Sequence, residues 1–178
     1  MNVAVHPWHD LSPGDDPPDS IHALIEIPRE GHVKYELDKD SGLLRMDRVL
    51  FSAVHYPANY GFIPQTLAED GDPLDVLLLC QNRIEPLAFA AARPVGMMRM
   101  IDGGEADHKI IAAACGDPSY DRIDSLDDLP PYEREKLEIF FRDYKAKEKD
   151  EVTIDGFRDA DDAKRVIVDA LSRYRDRR

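Results

Sequence analysis

The sequence predicts an α+β domain, because strand-like segments fill its first part and two helix-like segments follow near its end. Short apolar segments alternate with turn residues from Ile21 to Cys115, a pattern typical of a curved sheet or barrel. The chain has 178 residues, 43% of them hydrophobic, which is enough for one sizeable core. We therefore expect a single domain over residues 1–178, in which the proline-rich residues 1–20 form an N-terminal arm.

Six segments have the composition of strands. Each is rich in aliphatic, β-branched or aromatic residues and is followed or preceded by turn residues. They are residues 21–27, 33–37, 43–51, 73–80, 87–101 and 109–115. The longest apolar run, VLLLC at 76–80, is far too short to cross a membrane as a helix.

Two amphipathic helices are predicted after these strands. Pro131 stands where the first turn of a helix tolerates proline, and Asp159 suits the N-cap of the second helix. The apolar positions of the first helix are Leu137, Phe140, Phe141 and Tyr144. Those of the second are Ala163, Val166, Ile167, Ala170, Leu171 and Tyr174. Both sets recur at helical spacing, so each helix should bury one face.

The charge and the cysteines limit the classes of function. With 36 acidic and 23 basic residues the formal charge is −13, which opposes binding to duplex nucleic acid and to anionic membranes. Cys80 and Cys115 form no CxxC pair, and the N-terminus lacks a signal-peptide pattern. We therefore expect a cytoplasmic protein with neither partner. An anionic substrate would need cations to bridge it to this chain.

Three carboxylates crowd the turn that precedes the strand at 73–80. Asp70, Asp72 and Asp75 lie within six positions, and like charges this close repel unless a cation lies among them. Pro73 stiffens the turn, which suits a preorganised site for a hard cation. Carboxylate oxygens favour Mg²⁺ or Mn²⁺, and no neighbouring histidine or cysteine suggests zinc.

Two other interpretations of this turn exist. An EF-hand calcium loop is excluded, because its positions 5, 6 and 12 are Leu74, Asp75 and Gln81 instead of an oxygen ligand, glycine and glutamate. A solvated acidic turn between strands, bent by Gly71 and Pro73, stays open as the alternative.

More acidic residues recur elsewhere in the chain. Asp102, Glu105 and Asp107 surround two glycines at a predicted turn, and two metals need more carboxylates than one turn presents. Glu26, between isoleucines of the first strand, is a further candidate. An outward-facing strand residue is the alternative for Glu26.

Basic and phenolic residues complete the candidates. Lys34 and Glu36 alternate on one face of a strand, Arg48 lies in the next strand, and Tyr56 and Tyr60 flank a turn. Taken singly, these residues are explained as surface charges and core aromatics. A common location would be needed to give them a function.

Together these segments resemble the family I soluble inorganic pyrophosphatases. The turn DGDPLD at 70–75 has the form of the family signature D-x-D-P-x-D, and further blocks follow in family order. These are IEIP at 25–28, KYEL at 34–37, DR at 47–48, YPANYGFIP at 56–64, ARPVG at 92–96, the D-x4-D-x-K pattern of Asp102, Asp107 and Lys109, and FFRDYK at 140–145. The resemblance covers the chain from about Ile21 to Lys145.

The resemblance implies an OB-like five-stranded β-barrel with additional strands and two C-terminal α-helices. It also implies Mg²⁺-dependent hydrolysis of pyrophosphate, supplied as a magnesium complex, to two orthophosphates without a covalent intermediate. Several Mg²⁺ ions per site are implied, for which Mn²⁺ or other divalent cations could substitute. The expected assembly is a homohexamer in the cytoplasm.

The resemblance also assigns roles by matching position. Asp70, Asp75, Asp102 and Asp107 look like metal ligands, with Glu26 reaching further metal through water. Lys34, Arg48, Tyr60, Lys109, Tyr144 and Lys145 look like substrate-binding residues. Asp72 resembles the proton acceptor of the family, and Glu36 and Tyr56 fall on other active-site positions.

Two regions depart from the family pattern. Residues 146–157, AKEKDEVTIDGF, lack the glycine and the Lys-Trp strand of many relatives. Glu138 and Arg142 stand where many bacterial relatives have histidines at a subunit contact.

Two other functions are alternatives to pyrophosphate hydrolysis. Hydrolysis of a larger phosphoanhydride, such as a nucleotide or polyphosphate, would require aromatic residues for base stacking or an extended basic groove, and the sequence indicates neither. A catalytically silent metal-binding module would need no phosphate-binding residues, so the joint presence of the residues above disfavours it.

Overall fold

The structure is a computed structural model that describes residues 5–145 and 152–177. The strands are β1 (Ile21–Ile27), β2 (Val33–Leu37), β3 (Leu44–Val49), β4 (Asn59–Phe62), β5 (Asp75–Leu79), β6 (Phe89–Asp102), β7 (Glu105–Ala106), β8 (Lys109–Ala114) and β9 (Val152–Arg158). The helices are α1 (Pro131–Asp143) and α2 (Ala160–Arg177), and 3₁₀ turns cover Pro118–Tyr120 and Leu126–Asp128. Part of the divergent stretch, residues 146–151, lies outside the described residues.

Five strands form a ring. β1 pairs with β4, β4 with β5, β5 with β8, β8 with β6, and β6 returns to β1. All of these pairs are antiparallel except β5 with β8. β2 and β3 form a separate hairpin, while β7 and β9 extend the sheet along β6. The predicted α+β class and OB-like five-stranded ring are therefore confirmed.

One close approach inside the ring requires glycine. Gly61 of β4 pairs with Ile25 of β1, and a Cβ atom added there would lie 1.8 Å from the carbonyl oxygen of Leu24. No side chain fits without separating the two strands, so Gly61 is a condition for closing the ring.

The two helices cover the two faces of the ring strands. Leu77 packs in a cluster with Phe140 and Phe141 of α1, whereas Val76 packs in another cluster with Ile167 of α2. Adjacent residues of β5 thus enter different clusters, as strand alternation requires. With both faces buried, β5 and β8 read as continuous apolar runs.

The N-terminal arm packs against the body of the protein. Trp8 is buried, its indole Nε1 donates a hydrogen bond to the carbonyl oxygen of Thr66 at 2.8 Å, and its ring lies against Tyr174 of α2. Trp8 also shares a small core cluster with Leu24 and Phe62 of the ring. The arm is therefore fixed on the side of the ring where β1 and β4 pair.

Three strands lie outside the predicted segments, namely β4, the two-residue β7 and β9. β4 lies in the segment YPANYGFIP, where proline, asparagine and glycine hide the strand pattern. β9 lies between the two helices, in a segment for which the sequence pattern predicts no strand. β9 pairs with β6 because the 14 residues of β6 extend past the ring and offer a free edge.

The predicted helix starts are confirmed, with Pro131 in the first turn and the Asp159 carboxylate accepting from the Asp162 amide at 2.9 Å.

Within residues 5–145 and 152–177, no helix is long and apolar enough to cross a membrane.

Candidate active site

A cavity of about 640 Å³ opens between the ring, the β2–β3 hairpin and the end of α1. It gathers side chains from segments far apart in the sequence, including β1, β5, β6 and the end of α1. Of the sequence-predicted residues, those lining it are Glu26, Lys34, Glu36, Tyr56, Tyr60, Asp70, Asp72, Asp75, Asp102, Asp107, Lys109, Tyr144 and Lys145. Lys34 therefore shares one location with Tyr56, Tyr60 and the acidic residues.

Lys109 lies at the centre of the acidic group. The parallel register pairs Val76 with Ile110, which places Asp75 beside Lys109 at the starts of β5 and β8. The Lys109 ammonium, 2% exposed, forms ion pairs with Asp75 and with Asp107, the latter at 2.6 Å. Burial opposes the charge of Lys109, but the two carboxylates outweigh it and raise its pKa. Burial also raises the pKa of Asp75, although Lys109 opposes this shift.

An aromatic wall lies beside this ion-pair group. Lys109 Nζ is 3.4 Å from the Tyr60 hydroxyl oxygen, and the rings of Tyr56 and Tyr60 have centroids 5.4 Å apart. Tyr144 follows the end of α1 and stacks on Phe140. Burial raises the pKa of Tyr56, Tyr60 and Tyr144, so their hydroxyl groups stay protonated at neutral pH. They are thus neutral hydrogen-bond donors.

A second ion pair joins the end of α1 to the end of β6. The ammonium of Lys145 contacts the carboxylate of Asp102, and the two side chains are 16% and 15% exposed. Helix α1 ends at Asp143, so the residues that follow it are free to turn toward the cavity. Lys145 adds positive charge at the rim of the acidic group.

The acidic turn at 70–75 has a fixed backbone. Gly71 has φ +88°, a conformation that favours glycine, and the Asp72 amide donates to Asp70 Oδ1 at 3.0 Å. Burial raises the pKa of Asp70. Asp72 pairs with Lys39, and its side chain is 54% exposed. Asp70 and Asp72 are both exposed and both line the cavity, so the turn presents two carboxylates that solvent also reaches.

Glu26 points into the cavity from β1. It is 7% exposed, and its Oε1 accepts a hydrogen bond from the Leu37 amide at 2.8 Å. Burial, reinforced by the charge of Asp75, raises the pKa of Glu26 to about 8. The alternative of an outward-facing strand residue is therefore wrong.

The β2–β3 hairpin contributes a further charged group. Lys34 Nζ lies 2.5 Å from Glu36 Oε1 and 3.3 Å from Asp47 Oδ2. Arg48 Nη1 lies 2.7 Å from the same oxygen of Asp47. Burial opposes ionisation of Asp47, but Lys34 and Arg48 outweigh it, so the pKa of Asp47 is lowered. Arg48 is not among the residues lining the cavity and connects to Lys34 through Asp47.

The sequence analysis missed several charged residues of the cavity. Asp38, Lys39 and Asp40, in the hairpin turn, line it together with Arg45 of β3. The sequence could have indicated these residues by their position, because they follow β2 and precede or begin β3, and both strands carry predicted site residues. Glu105, which the sequence grouped with Asp102 and Asp107, is exposed on β7 and is not among the lining residues.

The donor chemistry of the cavity fits a hard divalent cation. Its described lining offers carboxylate oxygens and contains neither histidine nor cysteine. Within the described parts of the chain, no three histidine, cysteine, aspartate or glutamate side chains lie close enough to hold one ion between them. Magnesium commonly takes only one or two carboxylates and completes its coordination with water and phosphate oxygens. Oxygen donors interleaved with lysine and tyrosine donors suit an enzyme that binds phosphate with the help of metal.

Comparisons with known proteins agree with this class. The family model described as inorganic pyrophosphatase matches residues 23–175. Soluble inorganic pyrophosphatase 2 of Chlamydomonas reinhardtii is 51% identical over 174 residues, which are 98% of this chain and 91% of that protein. A soluble inorganic pyrophosphatase of Oryza sativa is 49% identical over 97% of this chain and 81% of its own length.

Solved structures of inorganic pyrophosphatases also match this chain. The crystal structure of inorganic pyrophosphatase from Thermus thermophilus matches with a TM-score of 0.91 and 38% identity, covering 97% of this chain and 99% of that one. The chain therefore belongs to the inorganic pyrophosphatase family. The resemblance found in the sequence blocks is thus confirmed, as is the prediction of an enzyme of the inorganic diphosphatase class.

Proposed function

We propose that this chain hydrolyses pyrophosphate to two orthophosphates with Mg²⁺ as its cation, by direct attack of water and without a covalent intermediate. The observation that supports this is one cavity in which acidic side chains from four separate segments meet lysines and tyrosines. Pyrophosphate is a polyanion, so its hydrolysis needs neutralisation of charge on the leaving phosphate as well as an activated water.

The proposed substrate-binding residues surround the acidic group. Lys34, Lys109, Lys145 and Arg48 would supply positive charge, and Tyr60 and Tyr144 would supply neutral hydroxyl donors. Their present partners support this role, because the ammonium groups of Lys109 and Lys145 already bind anionic oxygens within the cavity. Glu36 and Tyr56 would position this group, Glu36 through Lys34 and Tyr56 through its contact with the Tyr60 ring.

The metal-binding role falls to the carboxylates. Asp70, Asp75, Asp102 and Asp107 would hold the divalent cations, with Glu26 acting through water. Bound there, Mg²⁺ would supply positive charge against the phosphate oxygens and lower the pKa of water. Mn²⁺ could substitute, since the same oxygen donors suit it.

Asp72 is the proposed proton acceptor. Its carboxylate lines the cavity yet stays half exposed, so it can take a proton from a water molecule and release it to solvent. The described lining contains no serine, cysteine or histidine nucleophile. Its aspartates are the proposed metal ligands and proton acceptor, so water is the proposed nucleophile.

The proposal extends to the state of the protein in the cell. Substrate would arrive as its magnesium complex, which removes much of the repulsion expected from a chain of charge −13. We expect a cytoplasmic homohexamer, in which exposed apolar residues of α1 such as Tyr132 and Ile139 would be covered. Light scattering after gel filtration would measure the assembly, and a monomer would contradict it.

One assay tests the central proposal. Phosphate release is measured from pyrophosphate and from ATP, with Mg²⁺ and with EDTA, for the wild type, Asp72→Asn and the exposed control Asp169→Asn. We expect Mg²⁺-dependent release that is far faster from pyrophosphate, and a loss of about 100-fold in kcat for Asp72→Asn alone. Equal rates on both substrates would indicate a broader phosphoanhydride hydrolase, and no release would indicate a metal-binding module.

A further inference from the structure

A lysine that the resemblance does not assign spans the mouth of the cavity. Lys39 lies in the turn between β2 and β3, and its ammonium pairs with the Asp72 carboxylate across the opening. The same ammonium lies 3.5 Å from the carbonyl oxygen of Gly71. Lys39 thus joins the hairpin to the acidic turn at the proposed proton acceptor.

The backbone of Asp72 is held by contacts of its own. Its carbonyl oxygen accepts from the Ala68 amide at 2.7 Å, and its amide donates to Asp70 at 3.0 Å. These bonds fix the turn but leave the torsions of the Asp72 side chain undetermined. Lys39 contacts the carboxylate directly and therefore selects its orientation. Because both side chains are about half exposed, the pair adds little to folding stability.

Lys39 is in turn held by the N-terminal arm. His6 Nε2 lies 3.0 Å from the carbonyl oxygen of Lys39, and His6 Nδ1 accepts a hydrogen bond from the Trp8 amide at 3.3 Å. Since Nδ1 accepts, Nε2 carries the proton and donates to Lys39. The buried indole of Trp8 anchors this part of the arm through Thr66. The arm and the hairpin turn therefore form one connected support.

We infer that Lys39 is a positioning residue for pyrophosphate hydrolysis, which orients the Asp72 carboxylate toward the cavity and is itself held in place through His6. This inference rests on the proposed function, in which Asp72 accepts the proton. An acceptor on a half-exposed turn samples several rotamers, and only those facing the reacting water are productive. Lys39 raises the productive fraction, so its effect should appear in kcat and depend on Asp72.

The test is a double-mutant cycle on the full chain, with kcat and KM measured for pyrophosphate at saturating Mg²⁺. The variants are Lys39→Met, Lys39→Arg, Asp72→Asn and Lys39→Met/Asp72→Asn. Lys164→Met is the matched control, because Lys164 makes a comparable ion pair with Asp19 and neither residue lines the cavity. Thermal unfolding of each variant shows that it is folded.

For Lys39→Met we expect kcat about fivefold lower with KM unchanged within about twofold, the size of one exposed charge contact. Lys39→Arg should recover most of the rate, and Lys164→Met should equal the wild type. In the Asp72→Asn background Lys39→Met should cause no further loss, since Lys39 then has no acceptor to orient. His6→Ala should lower kcat about twofold, and adding it to Lys39→Met should change nothing more.

Three results would overturn the inference. An unchanged or higher kcat for Lys39→Met would show that the pair does not aid catalysis. An equal fivefold loss in the Asp72→Asn background would show that Lys39 acts independently, and a rise in KM alone would make it a substrate contact. Full activity of Asp72→Asn would instead contradict the proposed proton acceptor, so the two failures are distinguishable.

Discussion

Asp75 and Lys109 lie side by side at the starts of two parallel strands, and their side chains form an ion pair in which the lysine is 2% exposed. A buried pair of this kind is costly to break, because removing one partner leaves the other charge without compensation. Its position also links the stability of the ring to the proposed catalytic cavity.

Replacing Lys109 by methionine should therefore destabilise the protein as well as inactivate it. We expect a loss of about 3 kcal/mol in the free energy of unfolding, since Asp75 and Asp107 would face each other unpaired. Urea denaturation in EDTA measures this loss. Lys136→Met, an exposed change on α1, is the control and should stay within about 0.5 kcal/mol of the wild type. Equal midpoints for Lys109→Met and the wild type would refute the buried pair.

Glu26 should make stability depend on pH in protein stripped of divalent cations. Its pKa rises from 4.5 to about 8 on folding, so the folded state binds this proton more tightly than the unfolded state. Its contribution is complete below pH 4.5 and is lost as pH rises toward 8. Relative to the wild type, Glu26→Gln should thus gain up to about 5 kcal/mol as pH rises from 4.5 to about 8.

Urea denaturation of both proteins at several pH values, with EDTA present, measures that gain. Glu105→Gln, exposed on β7, is the matched control and should track the wild type. Parallel curves for Glu26→Gln and the wild type would show that the Glu26 carboxyl titrates normally. If Glu26 also aids metal binding, the stabilised variant should need more Mg²⁺ for half-maximal activity.

Gly61 should tolerate no side chain. In Gly61→Ala the new Cβ would meet the Leu24 carbonyl oxygen at 1.8 Å, so β1 and β4 would have to separate. We expect a loss of about 4 kcal/mol or failure to fold, measured by thermal unfolding and by yield of folded protein. Gly116→Ala is the control, because nothing lies within 4 Å of its added Cβ. A normal melting temperature for Gly61→Ala would contradict the close strand approach.

Asp117 should stabilise the loop after β8 at neutral pH. The Gln81 amide donates to one oxygen of its carboxylate at 2.5 Å and the Ser119 amide to the other at 2.9 Å, which lowers the pKa of Asp117 below 3.8. The stabilisation is present above pH 3.8 and is lost as pH falls below it. Asp117→Ala should cost about 1 to 2 kcal/mol at neutral pH.

Urea midpoints across an acid titration check this expectation. The difference between Asp117→Ala and the wild type should shrink below about pH 4, where the carboxylate becomes protonated. Asp121→Ala, an exposed neighbour, is the control. If the difference in urea midpoint between Asp117→Ala and the wild type stays constant with pH, the charge of the Asp117 carboxylate does not contribute to stability.

The apolar pattern of the sequence predicts the ring strands β1, β5, β6 and β8 and both helices. The helices show apolar residues at helical spacing, and β5 and β8 show continuous apolar runs; both are local properties of the sequence. β9 was missed because its formation depends on the free edge of β6, a nonlocal feature. β4 was missed because the glycine that lets it approach β1 also weakens its strand signal.

The site residues that lie close together in the sequence were predictable from it. Those that only the fold brings together were less so. The sequence itself shows the cluster of Asp70, Asp72 and Asp75, because the three lie close together along the chain. Glu26 is recognised as a site residue only in the folded protein, where β1 and the hairpin bury it beside the cavity. Lys39 was missed because a single lysine in a turn resembles any surface charge. Arg48, a predicted substrate-binding residue, is not among the lining residues and contacts Asp47, which Lys34 also contacts.

The burial of Trp8 makes its fluorescence an intrinsic probe of how the N-terminal arm docks on the protein. Trp8 is the single tryptophan of the chain, so all indole fluorescence comes from the point where the arm joins the body. Detachment of the arm would expose that ring to water and shift its emission to longer wavelength, while the barrel itself could stay intact. Docking of the arm can therefore be followed in real time without attaching any dye.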